Sequence, residues 1–306
     1  MHFVIHGGKK LSGTISVSGS KNASLPIIAA TLLTDEPCVI DRVPRISDVE
    51  TMLNILRSLG GEAEWTGDHQ VTICTKNTQL QPLDQKLVKN LRASLLIIGP
   101  LLTRFSEVPL SEPGGCIIGN RPLDAHIEGL AKLGVIVERT KAHYRLTHSG
   151  LRGALVPLLE ASVTATENIM MAACRAGGET TIINAACEPH VQDLAAFLRA
   201  MGADIEGEGT SVIRVRGVSR LVGARHTVIP DDIEAGTFIM MALATHGSVT
   251  VTDLRPETLV VPLEKLKSMG AQFDVKKDSI TILQSGVLKA AKIETRLYPG
   301  IPTDLQ

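Results

Sequence analysis

Apolar residues along the chain follow two different rhythms. Residues 24–33, 93–102, 166–175 and 233–245 are apolar nearly all round a helical turn, whereas residues 48–59 carry charges on one face. The first rhythm predicts helices buried inside a fold, and the second predicts a helix lying on its outside. β-branched runs follow the apolar helices, as in Cys38-Val39-Ile40, Thr180-Thr181-Ile182-Ile183 and Ser248-Val249-Thr250-Val251. Such runs read as strands.

The pattern repeats. Leu56-Arg57-Ser58-Leu59-Gly60, Leu130-Ala131-Lys132-Leu133-Gly134, Leu198-Arg199-Ala200-Met201-Gly202 and Leu266-Lys267-Ser268-Met269-Gly270 are four versions of one helix ending, spaced about 70 residues apart. Each glycine suits the left-handed residue that closes a helix, where a side chain would clash. A short alternating stretch follows (Glu62-Ala63-Glu64-Trp65, Gln272-Phe273-Asp274-Val275), then a turn and a second strand (Val71-Thr72-Ile73, Val212-Ile213-Arg214-Val215, Ile280-Thr281-Ile282-Leu283). Each unit therefore reads as strand, helix, strand, helix, strand, strand, an α/β (α+β) architecture. Four units are present, and a fifth begins at Ala291-Lys292-Ile293-Glu294-Thr295 and stops where its first helix is due. The period predicts a chain truncated at its C-terminus; a plain tail is the other reading of these residues.

Composition narrows the partners. The 306 residues are 44% hydrophobic, enough for one large core or two moderate ones, and the formal net charge is −1. That balance offers no field for nucleic acid or an acidic membrane, and 3% aromatics leave little for base stacking. The five cysteines are scattered without a CxxC pair, which fits reduced thiols and predicts neither a disulfide frame nor a zinc site. The N-terminus shows no signal-peptide pattern and the longest apolar runs are too short to span a bilayer, so the expected location is cytoplasmic.

Three stretches do not look like scaffold. Ser18-Gly19-Ser20-Lys21-Asn22-Ala23 places a lysine at a glycine-flanked helix start, where its charge and free amides suit phosphate; a capped start with a solvated lysine fits equally. Pro113-Gly114-Gly115-Cys116 runs on to Gly119-Asn120-Arg121-Pro122-Leu123-Asp124-Ala125-His126. It is a sharply turned loop whose thiol, near Arg121, is the best reactive-cysteine candidate; an ordinary long hairpin is the plainer reading. His126 entering a helix suits a structural hydrogen bond as well as a base. Asp304, in Pro302-Thr303-Asp304, fits a general base or an N-cap.

These segments, with Leu91-Arg92-Ala93-Ser94, Ala165-Thr166-Glu167-Asn168-Ile169-Met170-Met171 and Pro230-Asp231-Asp232-Ile233-Glu234-Ala235-Gly236-Thr237, resemble the UDP-N-acetylglucosamine enolpyruvyl transferase family in order and distance. The resemblance implies an inside-out α/β barrel of such repeats in two lobes of three. Residues 21–228 would form one lobe, and 1–20 plus 229–306 the incomplete other. It implies transfer of the enolpyruvyl group of phosphoenolpyruvate to the 3′-hydroxyl of UDP-N-acetylglucosamine, opening peptidoglycan precursor synthesis, without metal or other cofactor. By the same resemblance Lys21 and Arg121 would neutralise the phosphate, and Asn22 would hold the sugar and reacting groups. Arg92 would add positive charge, and Cys116 would serve proton transfer and be the thiol alkylated by fosfomycin. Arg121, Pro122, Leu123, Asp124 and Ala125 with Ser162, Val163 and Thr164 would line the uridine diphosphate pocket, and Asp304 would take the hydroxyl proton.

Thr164 stands where the family often has glycine, Asp232 where it is commonly basic, and Asn120 and Ala125 are milder changes. A missing last third would remove further arginines, so little activity is expected of the chain alone. A complete enzyme is expected to be a monomer, and a truncated one to self-associate aberrantly. The alternatives are a non-catalytic UDP-sugar-binding remnant and the sister transferase acting on shikimate 3-phosphate.

Overall fold

The computed structural model describes residues 2, 4, 6–80, 91–111, 123–139, 143–283 and 286–305. The first repeat runs β1 (Ser12–Ser16), α1 (Lys21–Ala30), β2 (Cys38–Asp41), α2 (Ser47–Ser58), β3 (Glu62–Gly67) and β4 (Gln70–Cys74). In the second, a 3-10 helix (Arg92–Ile97) leads into α3 (Ile98–Arg104), then β5 (Glu107–Ser111), α4 (Asp124–Lys132), β6 (Ile136–Arg139) and β7 (His143–Thr147). The third comprises β8 (Leu155–Pro157), α5 (Val163–Ala173), β9 (Glu179–Ile183), α6 (Pro189–Ala200), β10 (Asp204–Glu206) and β11 (Val212–Arg216). The fourth comprises β12 (Arg225–Thr227), α7 (Asp232–Ala244), β13 (Ser248–Thr252), α8 (Val260–Ser268), β14 (Phe273–Val275) and β15 (Ser279–Ile282). The expected order of elements is observed in the first, third and fourth repeats, and in the second from its first helix onward, its opening strand lying outside the described residues. The helix-ending glycines Gly60, Gly134, Gly202 and Gly270 have φ of 89°, 92°, 100° and 102°.

Each repeat makes one sheet from its last three strands, and the sheets have the same internal order. In the first, β2 pairs antiparallel with β4 and β4 with β3. β9, β11 and β10 repeat that arrangement, as do β13, β15 and β14, and β5, β7 and β6. Among the described residues a parallel fourth strand borders three of these sheets. β8 joins its own repeat at β9, but β1 joins β13 of the fourth repeat and β12 joins β2 of the first. The opening strands of the first and last repeats are thus exchanged. As a result the chain divides into two compact units that are not contiguous, Lys21–Ile229 and Met1–Ser20 with Pro230–Gln306.

In the larger unit the sequence's all-round apolar helices are indeed enclosed. Every residue of α1 from Ala23 to Ala30 is buried, and so is every residue of α5 from Ala165 to Ala173. A helix with no polar stripe is stable only when wrapped on all sides. α1 packs on α2, α6 and the 3-10 helix, and α5 packs on α3 and α4. The segment expected as one helix over 93–102 starts instead as 3-10 and turns α at Ile98. Pro100 explains the break: lacking an N–H and clashing with the preceding turn, it is tolerated in the first turn of an α-helix and not further in.

Close packing fixes α3 against α5. A Cβ built on Gly99 would lie 2.3 Å from the Asn168 carbonyl oxygen, so the two backbones touch there. The Asn168 side chain secures the contact by accepting from the Gly99 N–H at 2.8 Å. At the end of the unit, buried Asp193 accepts from the Ile229 N–H at 3.2 Å and bonds His226 at 2.9 Å, which ties the incoming β12 segment to α6.

The smaller unit departs from the expectation of a buried first helix. α7 covers only one face, burying Ala235, Gly236, Ile239, Ala242 and Leu243, while Met241 is 47% exposed. Its main packing partners among the described residues of this unit are β13, β15 and two short 3-10 helices, Pro256–Leu259 and Thr303–Leu305, which leave its other face exposed.

Two glycine substitutions separate backbone strain from steric contact. Nothing lies within 4 Å of a Cβ added at Gly202, so Gly202→Ala carries only the cost of its positive φ, about 1–3 kcal/mol. Gly99→Ala must push two helix backbones apart and is expected to cost more, about 3 kcal/mol or above. Urea unfolding followed by the single tryptophan, half-buried Trp65 in β3, measures both; a Gly202→Ala loss larger than that of Gly99→Ala would contradict the packing described.

Candidate functional site

The repeat gives every unit one place in common, the start of its first helix. Lys21 begins α1, Arg92 begins the 3-10 helix ahead of α3, and Ser162 and Asp231 are the N-caps of α5 and α7. Asp304 lies in the 3-10 helix Thr303–Leu305, at the matching point of the next unit. Residues singled out from scattered segments thus occupy equivalent positions. At such starts the amide N–H groups lack intrahelical acceptors and carry the positive end of the helix dipole.

In the larger unit the start of α5 meets the start of α4, the second helix of its repeat. At α5, the Ser162 hydroxyl accepts from the Ala165 N–H at 3.4 Å, and Thr166 donates its hydroxyl to the Ser162 carbonyl at 2.8 Å. Asn168, already holding Gly99, donates to the Thr164 carbonyl at 3.1 Å. The Val163 and Thr164 amides have no acceptor among the described residues. At α4, the His126 and Ile127 amides both return to the Leu123 carbonyl at 3.0 Å, which leaves those of Asp124 and Ala125 in the same condition.

His126 links the two helices. It is 4% exposed, and its Nε2 lies 3.0 Å from the Thr164 hydroxyl. Burial, with the positive charge of Arg92 nearby, holds its pKa down at about 4, so the ring is neutral at physiological pH. Gly129 keeps α4 close, since a Cβ there would meet the Ile169 side chain at 2.2 Å. Arg92, Leu123-Asp124-Ala125 and Ser162-Val163-Thr164 therefore converge. Four open amides and a guanidinium in one place suit a multiply charged oxyanion.

The other expected residues are placed differently. Lys21 Nζ lies 3.6 Å from a carboxylate oxygen of Asp48 in the first turn of α2, and both side chains are well exposed. Asn22 is exposed beside it. Asp304 is also exposed and belongs to the smaller unit, where its neighbour Leu305 packs on Gly236 of α7. Cys116, Arg121 and Pro122 lie outside the described residues. Of the remaining thiols, burial pushes Cys38 up to about 11 and Cys174 up to about 12, consistent with packing and not with nucleophilic roles.

Some participants were not singled out from sequence. Glu234 accepts from the Ser18 N–H at 2.6 Å and lies 3.3 Å from its hydroxyl, while the Asp231 N–H donates to the Ser18 carbonyl at 3.0 Å. The strand leading to Lys21 is thereby fastened to the start of α7. Glu167 is 1% exposed, and its Oε1 has no hydrogen-bond partner. Burial, reinforced by the charge of Glu188, pushes its pKa well above the usual carboxylate range. A glutamate inside an otherwise apolar helix was the visible signal for it.

Comparison with known proteins agrees with this arrangement of repeats. A family model described as EPSP synthase (3-phosphoshikimate 1-carboxyvinyltransferase) matches residues 5–306. UDP-N-acetylglucosamine 1-carboxyvinyltransferases of Koribacter versatilis, Methylacidiphilum infernorum and Coxiella burnetii are 43%, 46% and 45% identical over 99% of this chain. The matches span 71%, 72% and 70% of those proteins. Among solved structures, the enolpyruvyl transferase NikO from Streptomyces tendae superposes with a TM-score of 0.82 at 24% identity, covering 98% of this chain and 72% of that one. EPSP synthase from Acinetobacter baumannii gives 0.73 at 23%, covering 93% and 67%. At these identities the structural likeness speaks for the fold.

The buried carboxyl makes a pH-dependent prediction. Folding raises the pKa of Glu167, so the folded chain holds a proton that the unfolded chain releases, and stability falls as pH rises above the unfolded value near 4.5. Glu167→Gln is expected to stabilise the protein at pH 7 by on the order of 2 kcal/mol, with the gain vanishing near pH 4. Urea midpoints at the two pH values measure this, and an equal effect at both would refute it.

Proposed function

The chain belongs to the EPSP synthase family of 1-carboxyvinyltransferases, and on that premise we propose that it transfers the enolpyruvyl group of phosphoenolpyruvate to the 3′-hydroxyl of UDP-N-acetylglucosamine and releases phosphate. The observation that carries the choice of acceptor is the identity of 43–46% with enzymes named for UDP-N-acetylglucosamine, against 23–24% with the structural neighbours. The converging starts of α4 and α5 beside Arg92 support it, because they suit the diphosphate of a nucleotide sugar. In a cell such a reaction would serve peptidoglycan precursor synthesis in the cytoplasm.

The chemistry assigns each group a role. Protonation of the phosphoenolpyruvate methylene carbon makes C2 electrophilic, and the sugar 3′-oxygen adds to it as its own proton leaves to a carboxylate, for which Asp304 is proposed. The resulting phospho-ketal loses the methyl proton and phosphate to give the enol ether. Lys21 and Arg121 would neutralise the departing phosphate, and Asn22 would hold the sugar hydroxyl. Cys116 would serve the proton transfers and be the site of alkylation by fosfomycin. Preorganised cations at the phosphate and a positioned base are the terms that accelerate such a step.

Phosphate release from phosphoenolpyruvate and UDP-N-acetylglucosamine tests this directly. Turnover is expected to fall about a hundredfold or more on Lys21→Ala and by a similar factor on Asp304→Ala. Calorimetric titration with UDP-N-acetylglucosamine and with shikimate 3-phosphate runs alongside. Sugar nucleotide binding without phosphate release would favour a binding-only protein, and preference for shikimate 3-phosphate would overturn the acceptor.

A further inference from the structure

The link between His126 and Thr164 leaves one ring nitrogen without a partner. The ring is buried, Nε2 is engaged by the threonine hydroxyl at 3.0 Å, and Nδ1 is buried with no hydrogen-bond partner. Buried ring nitrogens are normally satisfied, and an exception calls for a physical cause. The hydroxyl decides the tautomer. If Nε2 carried the proton, the threonine hydroxyl hydrogen would have no acceptor among the described residues and the Nδ1 lone pair would be unsatisfied as well. If the hydroxyl donates to Nε2, one group alone is left over, an Nδ1–H. Threonine at 164 therefore fixes the imidazole as a neutral donor, and burial, with the adjacent Arg92 charge, keeps it from becoming a cation.

We propose that Thr164 and His126 form a positioning pair, in which the threonine hydroxyl sets the histidine tautomer and the Nδ1–H donates to an oxygen of a bound nucleoside diphosphate. This rests on the sugar-nucleotide reading above and deepens it. The surroundings are built for rigidity: Asn168 holds the Thr164 carbonyl and the Gly99 amide together, and Gly129 seats α4 against Ile169. Thr164 is thus held at both its carbonyl and its hydroxyl. A glycine at this position would supply neither the hydroxyl nor the tautomer choice, so the donor is a property of this chain's own residue.

The test combines ring spectroscopy with binding. Nitrogen-15 NMR of histidine-labelled protein is expected to show the His126 ring as the Nδ1–H tautomer, altered in Thr164→Val and restored in Thr164→Ser. Calorimetry with uridine diphosphate is expected to show about a tenfold loss of affinity in Thr164→Val and in His126→Gln. The double variant should be no worse than either single one, because both changes remove the same donor. Uridine, lacking phosphates, should bind all variants alike, which a general collapse of the site would not allow. Thermal unfolding by Trp65 fluorescence checks that each variant is folded. A wild-type chain that binds no uridine diphosphate overturns the functional reading and the ligand role together. Wild-type binding that is indifferent to both substitutions, additive losses, equal losses for uridine, or an Nε2–H ring overturns the pair alone.

Discussion

Contact between two helix backbones at Gly99 and Asn168 is the constraint on which the larger unit depends. A helix apolar on every side needs neighbours on every side, and α3 and α5 satisfy that need by approaching until no Cβ fits between them. The asparagine is suited to this position because it bonds across the gap to the Gly99 amide and along its own helix to Thr164. With the helices locked there, Arg92 and Thr164 come to the same end, both beside His126. The anion-suited ground at that end is a consequence of core packing, since the helices that fill the interior also supply the open amides.

Much of this was written in local chemistry. Gly60, Gly134, Gly202 and Gly270 close helices where a left-handed residue was called for, and β-branched runs became strands, because both signals act within a few residues. The all-round apolar character of α1 and α5 announced their burial. It misled for α7, whose sequence is just as apolar but whose described neighbours leave one side open; burial is a property of surroundings that a periodicity does not contain.

The site was legible as a set of segments but not as an arrangement. The residues around Asp124 lay in an unusual loop stretch and Thr164 stood where the family often has glycine, while Arg92 was named by resemblance alone, yet nothing local says that His126 will reach a threonine 38 residues away. Glu234 was part of a recognised segment, but its grip on Ser18 spans 216 residues and follows from the placement of two strands. Long-range pairing of this kind is decided by topology, which is the part of a fold that sequence patterns specify least.

The exchange of opening strands also bears on how the protein is made. β1 is synthesised well before β13, in whose sheet it lies, and the Ser16 hydroxyl meets Asp253 across a separation of 237 residues. β2 similarly waits for β12 to border its sheet. During synthesis both edges stand unpaired until β13 and β12 emerge, and loop closure over such spans is slow. An architecture of nearly independent repeats has in this way become one that is sealed late, with β1 dependent on the fourth repeat.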